Sequence, residues 1–216
     1  MTIYALSTGP GISGIAVIRV SGIRAAEVIK RVTSDKLPNQ REATRRQFYY
    51  INTRELIDEG VLLWFPGPNS YTGEDMAEFH VHGSRAVINS LQKTISKIKG
   101  CRLADPGEFT KIAFQNGKIN LLKAESIADL VASETEIQRK QALKIMSGAS
   151  SEKYNLWRDK LLKILSYIEA KIDFPDEDLP KDIIKKIQMT SNGVLQEIKK
   201  ILKDGKVGER IRSEER

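Results

Sequence analysis

Short apolar stretches separated by polar connections dominate the first half of the chain. Residues 3–6 (IYAL) and 15–20 (IAVIRV) are rich in apolar and branched side chains, which favour β-strands. Ser21 is placed to cap a helix that runs to about Val32. The runs RQFYYIN and GVLLWF follow, and the short link between them predicts two antiparallel neighbouring strands.

Alternation of apolar and polar residues in MAEFHVH, residues 76–82, predicts a half-buried strand. Because successive side chains of a strand point to opposite faces, Glu78, His80 and His82 should share one face. The alanine, phenylalanine and valine between them should fill the other face. The strand therefore presents a carboxylate and both histidines of the chain on a single surface.

Helical spacing begins after this strand, where Gly83 and Ser84 open a helix. Its apolar stripe is predicted at Val87, Ile88, Leu91, Ile95 and Ile98. The next helix begins in ADPGEF, with Asp105 as its cap, Pro106 in the first turn and Glu108 at the capping-box position. Asn116 and Gly117 then end it.

Only helical patterns continue beyond Ile119, and the chain closes on the polar GKVGERIRSEER without elements that would complete a bundle. The sequence thus predicts an α+β fold with a mixed sheet-and-helix domain over residues 1–118. Residues 119–216 are predicted to form an incomplete all-α region.

Composition changes this picture little. The 216 residues are 40% hydrophobic and 29% charged, as in ordinary globular proteins. A net charge of +7 allows contact with nucleic acid, although solvated helix faces explain the dispersed basic residues as well.

Cys101 is the single cysteine, which excludes an internal disulfide and favours an inert thiol in a reducing compartment. Neither a signal peptide nor a membrane span is visible, so a cytoplasmic protein is expected.

The glycine-rich GPGISG, residues 9–14, matches the letters of a dinucleotide-binding loop. That motif requires a helix after the loop, whereas a strand follows here, so the match is rejected. Gly9, Gly11 and Gly14 are instead expected to supply positive φ or close backbone approach, in a loop that lines a pocket. No GxxxxGK phosphate-binding motif occurs, which argues against autonomous hydrolysis of nucleotides.

Arg19 lies within an apolar strand, and a buried arginine needs a carboxylate, carbonyl groups or an anionic ligand. Structural pairing and ligand binding both remain open for it. The Glu78, His80 and His82 set is a poor metal site without a further strong ligand, so no metal is predicted. His82 and Gly83 end a strand where a helix begins, which favours a ligand pocket there.

Four motifs occur in order along the chain: TGPGISGIAVIRVSG, WFPGPNSYTGEDMAEFHVHG, ADPGEFTKIAFQNGKINLLKAESIADLV and IEAKIDFPDED. Together they resemble the MnmE/TrmE family of tRNA-modification GTPases. The resemblance implies an N-terminal domain similar to tetrahydrofolate-binding domains, which dimerises and binds a reduced folate. It also implies a helical domain that a G domain interrupts. This sequence ends near the place where the G domain is expected.

For the whole protein, the resemblance implies GTP hydrolysis with magnesium and potassium. It further implies a flavin-containing partner of the MnmG type, with which carbon 5 of the wobble uridine in tRNA is modified. The folate, either 5-formyl- or 5,10-methylene-tetrahydrofolate, would serve as the one-carbon donor. This chain by itself is not expected to hydrolyse GTP.

The resemblance assigns folate contacts to Arg19, Glu78 and Lys118, and no catalytic residue. A carboxylate such as Glu78 suits the ring amide and amine of a pterin, whereas either cation suits the glutamyl tail. The alternative functions are a stand-alone folate-dependent one-carbon transferase and a non-catalytic dimerisation module. The helical texture after Ile119 argues against the transferase, which would continue with more sheet.

Overall fold

The computed structural model describes residues 1–9, 11–173 and 182–213. The chain separates into two compact units, Met1–Asn120 and Leu121–Arg216. The first unit contains all six strands of the described residues and three helices, and the second contains helices. The predicted α+β fold, with a helical region after a mixed sheet, is confirmed.

The first unit is built on one six-stranded sheet with the order β3-β4-β5-β2-β1-β6. Most neighbours are antiparallel, and β6 runs parallel to β1. The strands are β1 (Thr2–Leu6), β2 (Ser13–Ser21), β3 (Thr44–Tyr49), β4 (Leu56–Phe65), β5 (Met76–Gly83) and β6 (Cys101–Leu103). The helices of this unit are α1 (Ala25–Thr33), α2 (Arg85–Ser96) and α3 (Glu108–Gln115).

Helices α1 and α2 cover one face of the sheet and enclose the hydrophobic core with it. The alternation predicted for β5 is confirmed, because Ala77, Phe79 and Val81 are buried in this core. Four of the five residues predicted as the apolar stripe of α2 are buried, and the fifth, Val87, packs against the core. The opposite face of the sheet carries Glu78.

Two helix starts differ from the sequence prediction. Ser21 is the last residue of β2 rather than a cap, and α1 begins at Ala25 after a turn at Gly22, whose φ is +131°. Helix α3 begins at Glu108, with Gly107 in the left-handed region as its N-cap instead of Asp105. One half of the predicted capping box is formed, because the Glu108 carboxylate accepts from the Asp105 N–H at 2.8 Å.

Strand β6 was not predicted, since CRL is too short and polar to show alternation. It carries Cys101, which packs partly buried against the core. Burial, followed by the nearby Glu27 charge, raises the pKa of the Cys101 thiol, and Arg24 opposes this shift. The thiol is thus held in its protonated and unreactive form, as the sequence indicated.

The second unit consists of α4 (Leu121–Val131), α5 (Glu136–Met146), α6 (Ala149–Asp173) and α7 (Ile183–Ser213). Thr135 and Gln138 form a complete capping box at the start of α5. Several large apolar side chains of α6 and α7 are solvent-exposed, including Leu156, Leu162, Ile172 and Met189. The end of the motif IEAKIDFPDED, from residue 174, lies outside the described residues. Among the described helices, none is both long and apolar enough to cross a bilayer.

Candidate functional site

Arg19 and Glu78 form a cross-strand ion pair at the centre of the sheet. They are register partners on β2 and β5, and both Nε and Nη2 of Arg19 donate to Glu78 Oε1, at 3.0 and 2.8 Å. The Arg19 and Glu78 side chains are 28% and 16% exposed, so the pair is only partly screened by water. Structural pairing, one of the two alternatives for Arg19, is therefore present, and a ligand can still reach both residues.

Two aromatic rings flank the Arg19 guanidinium. Its central carbon lies 5.7 Å from the ring centroids of both Tyr71, in the loop before β5, and Phe109, in α3. The hydroxyls of Tyr71 and Thr110 are 2.9 Å apart, which ties this loop to α3. Sequence reasoning missed both rings, although each lies within a motif of the family resemblance. They make the surroundings of the ion pair apolar on two sides.

A buried polar cluster fixes the loop that carries Tyr71. The Ser21 hydroxyl donates to Glu74 Oε2 at 3.0 Å and lies 2.7 Å from Thr72 Oγ1. Asn116 Nδ2 donates to the Thr72 carbonyl at 2.7 Å. Ser21 thus holds the loop rather than capping a helix, and the loop is attached at both β2 and the end of α3. Such satisfied buried networks rigidify the segment that they join.

Lys118 borders the same loop but does not join the ion pair. Its Nζ donates to the Pro68 carbonyl at 2.8 Å, and its alkyl chain passes Gly73 so closely that a Cβ there would lie 3.2 Å from it. Gly117, with φ +67°, ends α3 and turns Lys118 towards the loop. The structure therefore brings Arg19 and Glu78 together and places Lys118 on the other border of the loop.

The glycines of residues 9–14 do not serve close packing. Gly9, Gly11 and Gly14 are exposed, and a Cβ at any of them would have no described atom within 4 Å. Gly11 has φ +139°, which matches the alternative need for positive φ. Close approach occurs instead at Gly83, where a Cβ would lie under 3.0 Å from Ser13. Lining of a pocket by these glycines stays a prediction.

The two histidines differ in their surroundings. His80 Nε2 lies 3.4 Å from Glu78 Oε2, which makes His80 the partly exposed neighbour of the pair. His82 is 72% exposed, and its Nδ1 lies 2.8 Å from Asp58 Oδ1 on β4. Within the described residues, no group of three or more His, Cys, Asp or Glu side chains is arranged to hold a metal ion. Pocket lining by His82 stays a prediction.

The contact between Asp58 and His82 should make stability depend on pH. Burial alone would raise the pKa of Asp58, but hydrogen bonds from the His82 N–H, the His82 ring and the Glu59 N–H lower it below its ordinary 3.8. Because the folded pKa is lowered, this contribution is complete above the unfolded pKa and is lost as pH falls through the folded value. Asp58→Asn should therefore cost about 1 kcal/mol at pH 7, and this cost should shrink below about pH 4.

Urea unfolding of both proteins between pH 3 and pH 7 measures this difference. Glu55→Gln, which neutralises an exposed carboxylate in the preceding turn, serves as the control and should change stability little at any pH. A cost of Asp58→Asn that stays constant down to pH 3 would contradict the lowered pKa.

Comparison with known proteins gives matches to both units. The GTP-binding protein TrmE N-terminus family model matches residues 2–118, and the MnmE helical domain model matches residues 121–213. A tRNA modification GTPase MnmE of Pelagibacter ubique is 72% identical over 212 residues, which are 98% of this chain and 48% of that relative. The one from Rickettsia prowazekii is 44% identical over 208 residues, 96% of this chain and 47% of the relative.

A more distant relative is a mitochondrial 5-taurinomethyluridine tRNA synthase subunit of Danio rerio. It is 42% identical over 213 residues, which are 98% of this chain and 42% of that protein. The chain thus spans about half the length of the curated relatives that it matches.

Proposed function

Because the chain belongs to the MnmE/TrmE family and carries the N-terminal and helical domains of a tRNA modification GTPase, we propose that its first unit binds a reduced folate at Glu78. The observation that carries this proposal is the Arg19–Glu78 pair, accessible yet flanked by the Tyr71 and Phe109 rings. A flat heteroaromatic ligand with a polar edge suits a carboxylate between aromatic walls.

The hydrogen-bonding groups around Glu78 fit a pterin. Both Arg19 hydrogen bonds go to Glu78 Oε1, so Oε2 keeps accepting capacity, with only His80 at 3.4 Å. The ring amide and exocyclic amine of a pterin are donors that one carboxylate can engage in parallel. Arg19 keeps Glu78 oriented in this arrangement. When bound, the folate supplies a one-carbon unit.

Lys118 is the better candidate for the glutamyl tail. Arg19 is already paired with Glu78, whereas Lys118 is exposed and uses one hydrogen bond to Pro68. An ammonium has three donors, which leaves two for a carboxylate. The ligand would then extend along the loop of residues 66–75, from Glu78 at one border to Lys118 at the other.

We also propose that the first unit forms a homodimer. Ile12 precedes β2 and Ile15 lies within it; the two are 89% and 64% exposed, and Val61 on β4 is 36% exposed. Exposed apolar side chains of this size are available for a contact between two copies of the unit. The dimer would act in the cytoplasm with tRNA as substrate and a flavin-containing partner of the MnmG type. GTP hydrolysis, with magnesium and potassium, would belong to the full-length family protein.

Titration calorimetry with 5-formyltetrahydrofolate tests the folate site. The chain should bind saturably, and Glu78→Gln should weaken binding by about tenfold or more, because a hydrogen-bond acceptor and its charge are lost. Glu78→Ala should weaken it at least as much. Glu42→Gln, which neutralises an exposed glutamate outside the site, should leave the affinity unchanged. Equal affinity of Glu78→Gln and the parent chain would remove Glu78 from the site.

A further inference from the structure

An open cavity of about 770 Å³ lies at the sheet edge formed by β3, beside the end of α1. Arginines, acids and hydroxyl-bearing side chains line it, and none of them belongs to the Glu78 site. The lining residues are Thr33, Ser34, Asp35, Arg45, Arg46, Gln47, Tyr49, Arg54 and Glu59. The cavity is therefore polar and basic rather than apolar, which sets it apart from ordinary sites for drug-like molecules.

The arginines of this cavity have more donors than their protein partners use. Arg54 donates to the Ser34 hydroxyl, and among the ion pairs of the described residues it has no carboxylate partner. Arg46 Nε is buried and makes no hydrogen bond, although Asp35 Oδ2 lies 3.3 Å away, because the geometry is unsuitable. A buried N–H without an acceptor costs free energy, which Arg46 bears within the protein. The Arg54 guanidinium keeps unused donors for ligand oxygens.

The charge balance favours an anion. Three arginines face two carboxylates, and Glu59 is occupied by both Arg45 and Gln47. The carbonyl end of α1 adds roughly half a negative charge, which the arginine excess outweighs. The Arg45 side chain is 79% exposed, so its guanidinium can reorient towards a ligand that approaches the cavity from solvent. Guanidinium groups bind phosphate oxygens in paired hydrogen bonds.

We propose that this cavity docks the phosphodiester backbone of an RNA, an inference that rests on the proposed role in tRNA modification. Arg45 and Arg54 line the cavity at this sheet edge and suit two successive phosphates. Contacts to phosphates fix the position of an RNA without reading its sequence. The Ser34 hydroxyl and the Tyr49 ring offer partners for ribose and base. The cavity lies on the β3 edge, whereas the Glu78 site lies between central strands.

Fluorescence anisotropy with labelled tRNA tests this docking site. Arg45→Gln/Arg54→Gln removes two charges while keeping polar side chains. It should weaken binding about tenfold near 0.1 M salt and reduce the slope of log K against log salt by about 1 to 2. The matched control is Lys97→Gln/Lys99→Gln, which removes two exposed charges just before β6, at the opposite edge of the sheet. It should change the affinity by less than about twofold.

The docking site would be overturned by the absence of tRNA binding to the parent chain, by equal weakening in both double variants, or by an unchanged salt slope. Uridine monophosphate that competes as strongly as tRNA would also overturn it, because the site would then bind a small nucleotide. Titration of the same samples with 5-formyltetrahydrofolate separates the two proposals. Loss of RNA affinity with intact folate binding supports docking, and failed folate binding refutes only the Glu78 assignment. Circular dichroism confirms that each variant is folded.

Discussion

Replacing Gly60 by alanine should destabilise the first unit by about 3 kcal/mol, because the new methyl group has no room. A Cβ at this position in β4 would lie under 3.0 Å from the His80 carbonyl oxygen of β5 and 3.1 Å from the Phe48 ring. The carbonyl belongs to a neighbouring strand and cannot rotate away as a flexible side chain does. The strands would have to separate beside the Arg19–Glu78 pair, so folate affinity should fall as well.

Urea unfolding followed by tryptophan fluorescence measures this effect. Trp64 belongs to the first unit and Trp157 to the second, so a Trp157→Phe background leaves a single reporter for the sheet. Gly14→Ala is the matched control, because a Cβ there meets no described atom within 4 Å, and it should change stability by less than about 0.5 kcal/mol. Similar unfolding midpoints for the two alanine variants would refute the proposed clash.

Phe79→Ala should lower the stability of the same unit by about 3–5 kcal/mol, since it empties the centre of the core. Phe79 is fully buried on β5 and packs edge-to-face on Phe48, with ring centroids 5.5 Å apart. Its neighbour Glu78 points to the opposite face, so the substitution should leave the ligand-contacting groups in place. Folate binding should persist at urea concentrations at which the variant remains folded.

The same Trp64 fluorescence assay measures this loss. Ile23→Ala removes a large side chain that is 78% exposed and should cost no more than about 0.5 kcal/mol. Combining Phe79→Ala with Phe48→Leu gives a double-mutant cycle, in which a coupling of about 0.5–1.5 kcal/mol is expected for the aromatic pair. A cost for Phe79→Ala as small as that of Ile23→Ala would contradict its place in the core.

The fold was largely predictable because periodicity reports burial directly. Alternation in MAEFHVH revealed the two faces of β5, and helical spacing revealed α2. The wrong predictions concern residues whose local preference competes with tertiary contacts. Ser21 has the side chain of a good cap, yet tertiary contacts with Thr72 and Glu74 hold it at the end of a strand. Strand β6 forms by pairing with β1, and a segment of three residues is too short to show a strand pattern in the sequence.

The candidate site was predictable only in part. Residue chemistry and the family resemblance indicated Arg19, Glu78 and Lys118, but neither could show that Arg19 is a cross-strand partner of Glu78, since register is a property of the assembled sheet. Tyr71 and Phe109 were missed because aromatic side chains in a loop and a short helix have no periodic signal. The arginines that line the cavity beside β3, Arg45, Arg46 and Arg54, lie close together in sequence but match no motif of known function.

The strand order has a kinetic consequence. The ion pair joins residues 59 positions apart, and β6 must return from the end of α2 to pair with β1. Such pairings give the first unit a high contact order, and domains of this kind fold slowly because long loops must close before their contacts stabilise the chain. The Arg19–Glu78 pair therefore cannot form within a single β-hairpin of neighbouring strands in sequence. Assembly of the proposed folate site in a newly made chain would have to await the pairing of β2 with β5.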